Sequence, residues 1–403
     1  MIKLTQAISF IHAADLHLDT PFKGLTKLPT SLWEEVKEST FLAYDRLIET
    51  AIIHEVDFVL LVGDIFDEAT QSLKAQMHLR SGFEKLQAEN IAVYMSYGNH
   101  DFLEGNKFSI EYPDNVHVFT SENVSSFIYE KNNEACAEIH GFSYETRAVT
   151  DNKITEYDIQ QAHIPYHIAT LHGSLDGNQS HASYAPFQLQ ELIEKPFDYW
   201  ALGHIHQKAI LQTEPPIIYP GNIQGRHRNE AGSRGCYHVK MDGSSTITQF
   251  IPLQALRFEN ILVDITSCEK IEVIEMAIVE AMEEIEEKTL IHLTLTSENN
   301  ESVTFEQEGL LEELIEIINE MNLEQTTWKY IYTHRFIFAA KQSTQGNFFS
   351  EDVLQALKEI DVKEAVRDLY HSPRNRRYLE RLDDKAIKEK AAQLLTYGLH
   401  KKQ

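Results

Sequence analysis

Asp57-Phe-Val-Leu-Leu-Val-Gly-Asp64 (DFVLLVGD) decides how the rest of the chain is read. An unbroken apolar run of strand length that halts at Gly-Asp describes a strand buried on both faces, with a carboxylate at its carboxyl end. Working outward, residues 8–14 form a second such run that stops at Asp15, and residues 91–97 a third that stops at Gly98-Asn99-His100-Asp101. Between them, residues 40–54 and 73–89 carry apolar side chains at helical spacing. Strands alternating with helices in this way predict an α/β fold with a parallel sheet. Two later apolar runs behave alike: 167–171 stops at His172-Gly173, and 197–202 at Gly203-His204-Ile205-His206. Shorter strands near 116–119, 125–130, 135–142, 217–219, 235–241 and 247–252 turn the first part into mixed sheet.

Composition bounds the function classes. With 62 Asp+Glu against 36 Lys+Arg, the formal net charge is −26, which argues against a strongly basic surface that coats nucleic acid. No apolar run approaches the ~18 residues a membrane helix needs, and Met1 to Phe10 lacks the apolar core of a signal peptide. The three cysteines, Cys136, Cys236 and Cys268, form no C-x-x-C pair, so a reduced cytoplasmic setting is expected and no disulfide framework.

The charge is unevenly spread. Residues 257–325 hold 19 acids and 3 bases, whereas residues 361–403 hold 7 acids and 11 bases. Of the 19 histidines, 15 precede residue 257. These shifts predict three modules: 1–256, an α/β domain; 257–342, an acidic α+β domain reading strand 258–265, helix 270–288, strand 289–296, helix 309–321 and strand 328–340; and 343–403, a helical segment.

The chemistry lies in the strand ends. Five apolar strands each finish in a polar cluster, together supplying Asp15, His17, Asp64, Asn99, His100, His172, His204 and His206. Ligand groups of open α/β sheets gather at the carboxyl ends of strands. This nitrogen and oxygen set without thiolate suits Mn, Fe or Zn rather than Mg alone. So many ligands fit two divalent ions, with Asp64 bridging because its strand is central. Asp15, His17 and one of His204 and His206 would complete the first ion, and Asn99, His172 and the other histidine the second. His100 is then spare, beside a ligand and facing the cleft, as an acid or a donor to phosphate.

Asp15-x-His17, Gly63-Asp64, Gly98-Asn99-His100-Asp101, His172 and Gly203-His204-x-His206 resemble the five motifs of the calcineurin-like metallophosphoesterases. Phe10-Ile-His-Ala-Ala-Asp-Leu-His17 resembles the opening of the bacterial SbcD-type DNA repair nucleases. Asp15-Leu-His-Leu-Asp-Thr-Pro-Phe22 and Tyr219-Pro-Gly-Asn-Ile-Gln-Gly-Arg-His227 look like the YhaO branch of that family. The motifs span residues 10–227, and beyond about residue 257 the likeness rests on module order.

The resemblance implies a four-layer α-β-β-α sandwich, followed by a small α+β capping domain and a C-terminal helical segment. It implies one ion on Asp15, His17, Asp64 and His206, and another on Asp64, Asn99, His172 and His204, with Mn²⁺ first and Fe²⁺ or Zn²⁺ as alternatives. His100 would stabilise the phosphate or protonate the leaving oxygen. The implied activity is exonuclease and endonuclease hydrolysis of DNA in repair, with an SbcC-like coiled-coil SMC ATPase clasped by the C-terminal helices. A homodimer is a further expectation. Asp67 departs from the archaeal relatives, which often carry histidine there.

Other readings stand beside this one. The same metal site would serve a phosphodiesterase or phosphatase acting on small nucleotides or phosphoproteins, or it could be vestigial in a subunit that regulates the ATPase. The intact ligand set counts against the last, and the two extra modules count against a stand-alone phosphatase. Arg226, His227 and Asn222 are the candidate substrate contacts, with Arg228 and Arg234 in the same basic cluster and Tyr184 as a base-stacking alternative to a packed tyrosine. His12 reads as a packed core residue and Asp101 as a turn residue that orients its loop. Asp19 and Asp67 divide evenly between support of the site and solvated loop. His54, His78, His117, His140, His163, His167 and His238 read as surface or satisfied structural groups.

Overall fold

The computed structural model describes residues 6–338 except 26, 69–70, 106–109 and 177–183, together with positions 385, 388 and 391. The helical segment expected over 343–403 otherwise lies outside the described residues. Two compact units divide the chain: Met1–Glu259 with Glu287–Ile291 and Thr326–Tyr332, and Asn260–Glu286 with His292–Gln325 and Thr333–Gln403.

The first unit begins β1 (Ile8–Ala13), α1 (Thr30–Ile53), β2 (Phe58–Val62), α2 (Leu73–Ala88), β3 (Ala92–Ser96) and β4 (Val116–Val118). It continues β5 (Ser125–Lys131), β6 (Glu134–Gly141), β7 (Tyr166–His172), α3 (Leu189–Glu194), β8 (Tyr199–Gly203), β9 (Ala209–Thr213), β10 (Pro216–Tyr219), β11 (Gly235–Met241) and β12 (Thr246–Pro252). Two six-stranded sheets result, ordered β12-β11-β1-β2-β3-β4 and β5-β6-β7-β8-β10-β9. Their centres are parallel: β1 to β4 in one, β6-β7-β8-β10 in the other. The parallel strands therefore end on one edge of each sheet, and those ends carry the polar clusters.

Burial shows the layers. Ile11, Val59 and Val93 of the first sheet pack on Tyr44, Leu47 and Ile48 of α1 and on Leu79, Phe83 and Leu86 of α2. The opposite face, with Phe10, Phe58, Leu60 and Val239, packs on Ile139, Ile168, Tyr199 and Ala201 of the second sheet. The far face of that sheet, with Leu171, Trp200 and Ile217, is covered by Tyr144, Tyr157, Phe187 and Leu192. The order is helix, sheet, sheet, helix, with the fourth layer reduced to the short α3 and its flanking loops. Alternate residues of one strand face different layers, so strands buried on both sides read as unbroken apolar runs.

α1 begins at Thr30, well before the residue-40 start that periodicity suggested. Its first turns bury only Leu32 and Val36, so the apolar stripe is dilute there. α3 and β9 are too short to give a periodic signal.

The second unit holds α4 (Ile271–Glu283), α5 (Asn300–Gln307) and α6 (Leu310–Leu323). It also holds most of three strands, β13 (Arg257–Asp264), β14 (Thr289–Ser297) and β15 (Lys329–Phe338), paired in that order. α4 stops at Glu283 rather than 288. Glu283, Glu284, Glu286 and Glu287 crowd a helix carboxyl end that disfavours negative charge. α5 went unread; Asn299 caps it by accepting from Glu301 N. Among the described residues no helix is long and apolar enough to cross a membrane, and all three cysteines are buried free thiols.

Candidate metal centre

The strand ends converge through the backbone before any side chain is considered. Asp15 N donates to Gly63 O at 3.1 Å and His17 N to Asp64 O at 3.0 Å, locking the first two ligand loops together. His204 N donates to both oxygens of Asp15 at 3.1 Å, and His100 N to Asp64 Oδ1 at 3.0 Å. Asp15, His17, Asp64 and His204 all adopt positive φ, from 45° to 92°. Non-glycine residues pay of order 1–3 kcal/mol for such conformations and hold them where the surroundings enforce it, commonly at functional sites.

Glycine is required where the ligands crowd. A Cβ on Gly98 would collide with Asp64 Oδ1 and stand 2.7 Å from His172 Nε2. One on Gly203 would collide with Val62 O and stand 2.8 Å from His172 Nδ1. The backbone thus fills the space a side chain would take, bringing Asp64 and His172 to 3.4 Å.

Two groups of donor atoms result, and they share Asp64. Asp15, His17, Asp64 and His206 offer ligand atoms within 4.8 Å of one another, as do Asp64, His172 and His204. Asn99 Oδ1 joins the second group, 3.2 Å from His172 Nε2 and 3.1 Å from His204 Nδ1. All these residues but His204 and His206 are buried.

The donor set fits divalent ions on its own geometry. His206 Nδ1 donates to Glu230 Oε1 at 2.7 Å, and His17 Nδ1 lies 3.3 Å from Asp67 Oδ1. With Nδ1 of each ring turned toward a carboxylate, the two Nε2 atoms face each other at 3.1 Å, placed to offer lone pairs to one ion. Two lone pairs at that distance repel unless a cation lies between them. Metal–nitrogen bonds of ~2.1 Å put neighbouring ligands about 3.0–3.4 Å apart. In the second group, His172 Nδ1 donates to Val62 O at 3.0 Å, which leaves its Nε2 for coordination.

Protonation agrees. Burial, with the Arg226 charge adding to it, pushes His17 down to about 3, so this imidazole is neutral. Burial alone would raise Asp64, but His172, His17 and His100 hold it well below the usual carboxylate range. Burial opposes charge on His172 as well, yet Asp64 and Asp15 push it up to about 9. The metal-free pair therefore carries a proton that a metal must displace. Burial raises Asp15, against the pull of His206 and His172.

His100 stands apart from the ligand groups. Its Nδ1 donates to Asp67 O at 2.6 Å, and its ring lies edge-on to His17 with centroids 5.0 Å apart. Nε2 is thereby the atom left to take or give a proton. Asp101 ties the Asp64 and Asn99 loops: Oδ2 accepts from Ile65 N at 2.6 Å and Phe66 N at 3.2 Å, and Oδ1 from Gly98 N at 2.7 Å. His12 is a core residue, bonded to Tyr199 Oη and Leu202 O.

The candidate substrate contacts fall elsewhere. Asn222 is fully buried; its Nδ2 donates to Glu230 Oε2 at 2.9 Å and its Oδ1 accepts from Arg234. It buttresses the site from below, which corrects the reading of it as a phosphate contact. Arg234 is buried as well and donates to the carbonyls of Glu230, Ala231 and His206. Arg226 pairs with Asp67 at 2.6 Å and Glu230 at 3.3 Å. Its phosphate-facing capacity is thus partly taken up inside the protein. His227 is half exposed beside Glu230, and Tyr184 is half-buried with its ring T-shaped to that of His204, centroids 5.3 Å apart. Asp19 is exposed, whereas Asp67 supports His17 and Arg226.

Glu230 escaped the sequence reading, though its position offered one signal: it is the lone acid among Arg226, Arg228 and Arg234. Burial would raise its carboxyl, but His206 and Arg226 hold it far below the usual range.

The comparisons with known proteins follow the same residues. The profile described as calcineurin-like phosphoesterase matches residues 8–208, the stretch that carries every ligand. A Bacillus subtilis (strain 168) protein titled "Uncharacterized metallophosphoesterase YhaO" is 35% identical over 388 residues, covering 95% of this chain and 95% of that protein. This chain is a calcineurin-like metallophosphoesterase. As a member of that family it is a phosphoester hydrolase that uses divalent metal. A Methanocaldococcus jannaschii protein titled "DNA double-strand break repair protein Mre11" is 25% identical over 251 residues, covering 58% of this chain and 63% of that one. A solved structure titled "GAP50 the anchor in the inner membrane complex of Plasmodium" aligns at 12% identity and a TM-score of 0.38, over 61% of this chain and 85% of that one. That likeness is too loose to carry a functional argument.

Proposed function

We propose that this metallophosphoesterase is a DNA nuclease, acting as exonuclease and endonuclease in repair beside an SbcC-like SMC ATPase. The observation that carries the hydrolytic part is the meeting of two ligand groups at Asp64. The similarity to a protein titled for double-strand break repair supports DNA as substrate.

Two divalent ions, when bound, supply Lewis-acid charge and an acidified water, and Mn²⁺ is the proposed pair. The chain's own residues do the rest. Asp64 places one carboxylate between the two groups. Neutral His17 and the oriented His206 both turn Nε2 toward the ion's position. Gly98 and Gly203 keep side chains out of the crowded floor. His100, held through Nδ1, presents Nε2 as the atom through which a proton can pass to a phosphate oxygen or to the leaving oxygen. The acidic charge of −26 fits weak DNA binding by the isolated subunit, with salt-sensitive affinity supplied by the partner.

Incubation of the purified full chain with Mn²⁺ and linear duplex DNA tests the proposal. Degradation of the DNA, lost on chelation, is the expected result. Hydrolysis of a small chromogenic phosphodiester with the DNA left intact would overturn it and favour a small-nucleotide phosphodiesterase.

A further inference from the structure

A second histidine–carboxylate cluster lies well away from the dinuclear centre. Glu138 and His167 are direct cross-strand partners on the parallel strands β6 and β7, and His140 sits two residues beyond Glu138 on the same face. All three are buried: Glu138 is 0% exposed, His140 2% and His167 7%. His167 is five residues before His172 along β7, which places the cluster about 16 Å down the strand from the metal centre.

These are not the satisfied structural histidines expected from the sequence. His140 Nε2 and His167 Nδ1 each stand 3.4 Å from the same oxygen, Glu138 Oε2. That is beyond the ~2.7–3.2 Å of a nitrogen–oxygen hydrogen bond. Neither nitrogen has a hydrogen-bond partner. Buried imidazole nitrogens are ordinarily paired, so two orphans aimed at one carboxylate oxygen call for an explanation. The 3.4 Å separations match the edge of a tetrahedron around an ion with bonds of ~2.0–2.1 Å.

We propose that Glu138, His140 and His167 bind a third divalent ion, Zn²⁺ by ligand class, which cross-links β6 to β7. Two imidazoles and a carboxylate, without thiolate, form a donor set that zinc accepts readily, and three protein ligands leave one position for water. The carboxylate is already oriented: Ser126 Oγ donates to its Oε1 at 2.9 Å, and Gln161 N approaches Oε2 at 3.3 Å. The Phe197 ring packs edge-on over His140, with centroids 5.0 Å apart, and shields the site. Burial lowers the His140 pKa, which favours the neutral form that coordinates. Such enclosure assigns the ion a structural role.

Zinc-edge anomalous diffraction from crystals of the full chain soaked in Zn²⁺ tests the assignment directly. A peak bonded to the three ligand atoms is expected; its absence, with zinc present at the Asp64 centre, overturns the proposal. In solution, Glu138→Gln keeps the shape of the side chain and should bind one Zn²⁺ equivalent fewer than the parent by elemental analysis. Its zinc-induced rise in Tm should also be smaller than the parent's, by the share that the third ion contributes. His167→Asn serves as a second variant. Equal zinc content in parent and variants would overturn the proposal.

Discussion

Replacing Glu230 with glutamine tests the support of the metal centre without touching a ligand. The carboxylate is 4% exposed. Its Oε1 accepts from His206 Nδ1 at 2.7 Å, and its Oε2 from Asn222 Nδ2 at 2.9 Å and Arg226 N at 2.8 Å. An amide has one oxygen for these three donors. If the oxygen faces Asn222 and Arg226, the NH₂ group faces His206 and drives the imidazole proton from Nδ1 to Nε2, the atom that must coordinate. If the oxygen faces His206, two donors lose their acceptor, at about 1–3 kcal/mol each. Loss of such an orienting partner typically lowers metal affinity 10–100-fold, equivalent to about 1.4–2.7 kcal/mol. Isothermal titration of Mn²⁺ into metal-free Glu230→Gln should show that weakening. Hydrolysis should recover in part as Mn²⁺ is raised. An affinity within twofold of the parent would refute the reasoning, because it would mean that His206 needs no carboxylate to present Nε2.

His100→Ala should lower phosphodiester hydrolysis about 10²–10⁴-fold while metal content by elemental analysis stays unchanged; a large metal loss would make His100 a ligand. Gly98→Ala should lose both metal and activity, since the new methyl group displaces Asp64 or His172; an active, fully loaded variant would contradict the crowding argument. Acid should destabilise the metal-free protein through His12, which burial pushes down to about 3 although Leu202 O accepts from it. The folded value lies below the unfolded ~6.5, so this stability is present above that pH and is lost as pH falls toward 3, at up to ~1.4 kcal/mol per unit. Urea midpoints of parent and His12→Asn at pH 7.5 and 5.5 should therefore converge at the lower pH; a constant gap would exclude His12 as a source of the acid sensitivity.

What was legible in the sequence was local. Each ligand follows an apolar strand, so Asp15, Asp64, Asn99, His172 and His204 announce their places by where hydrophobicity stops. The parallel sheets place those stops on common edges. What was not legible depends on distance along the chain. Asp67 meets Arg226 across 159 residues, and Glu230 lies in a short turn with no strand before it. Asn222 looked like a contact because it sits among basic residues, yet two of them, Arg226 and Arg234, turn inward to bond Glu230 and backbone carbonyls. His140 and His167 looked ordinary because neither ends a strand; only the register of β6 against β7 brings them to one carboxylate.

Manganese-edge anomalous diffraction from crystals grown with Mn²⁺ bears most directly on the central claim, that two ligand groups joined at Asp64 hold a dinuclear centre. Two peaks ~3.5–4 Å apart are expected, one among Asp15, His17 and His206 and the other among Asn99, His172 and His204, with Asp64 touching both. A single peak, or two that do not share Asp64, would contradict it.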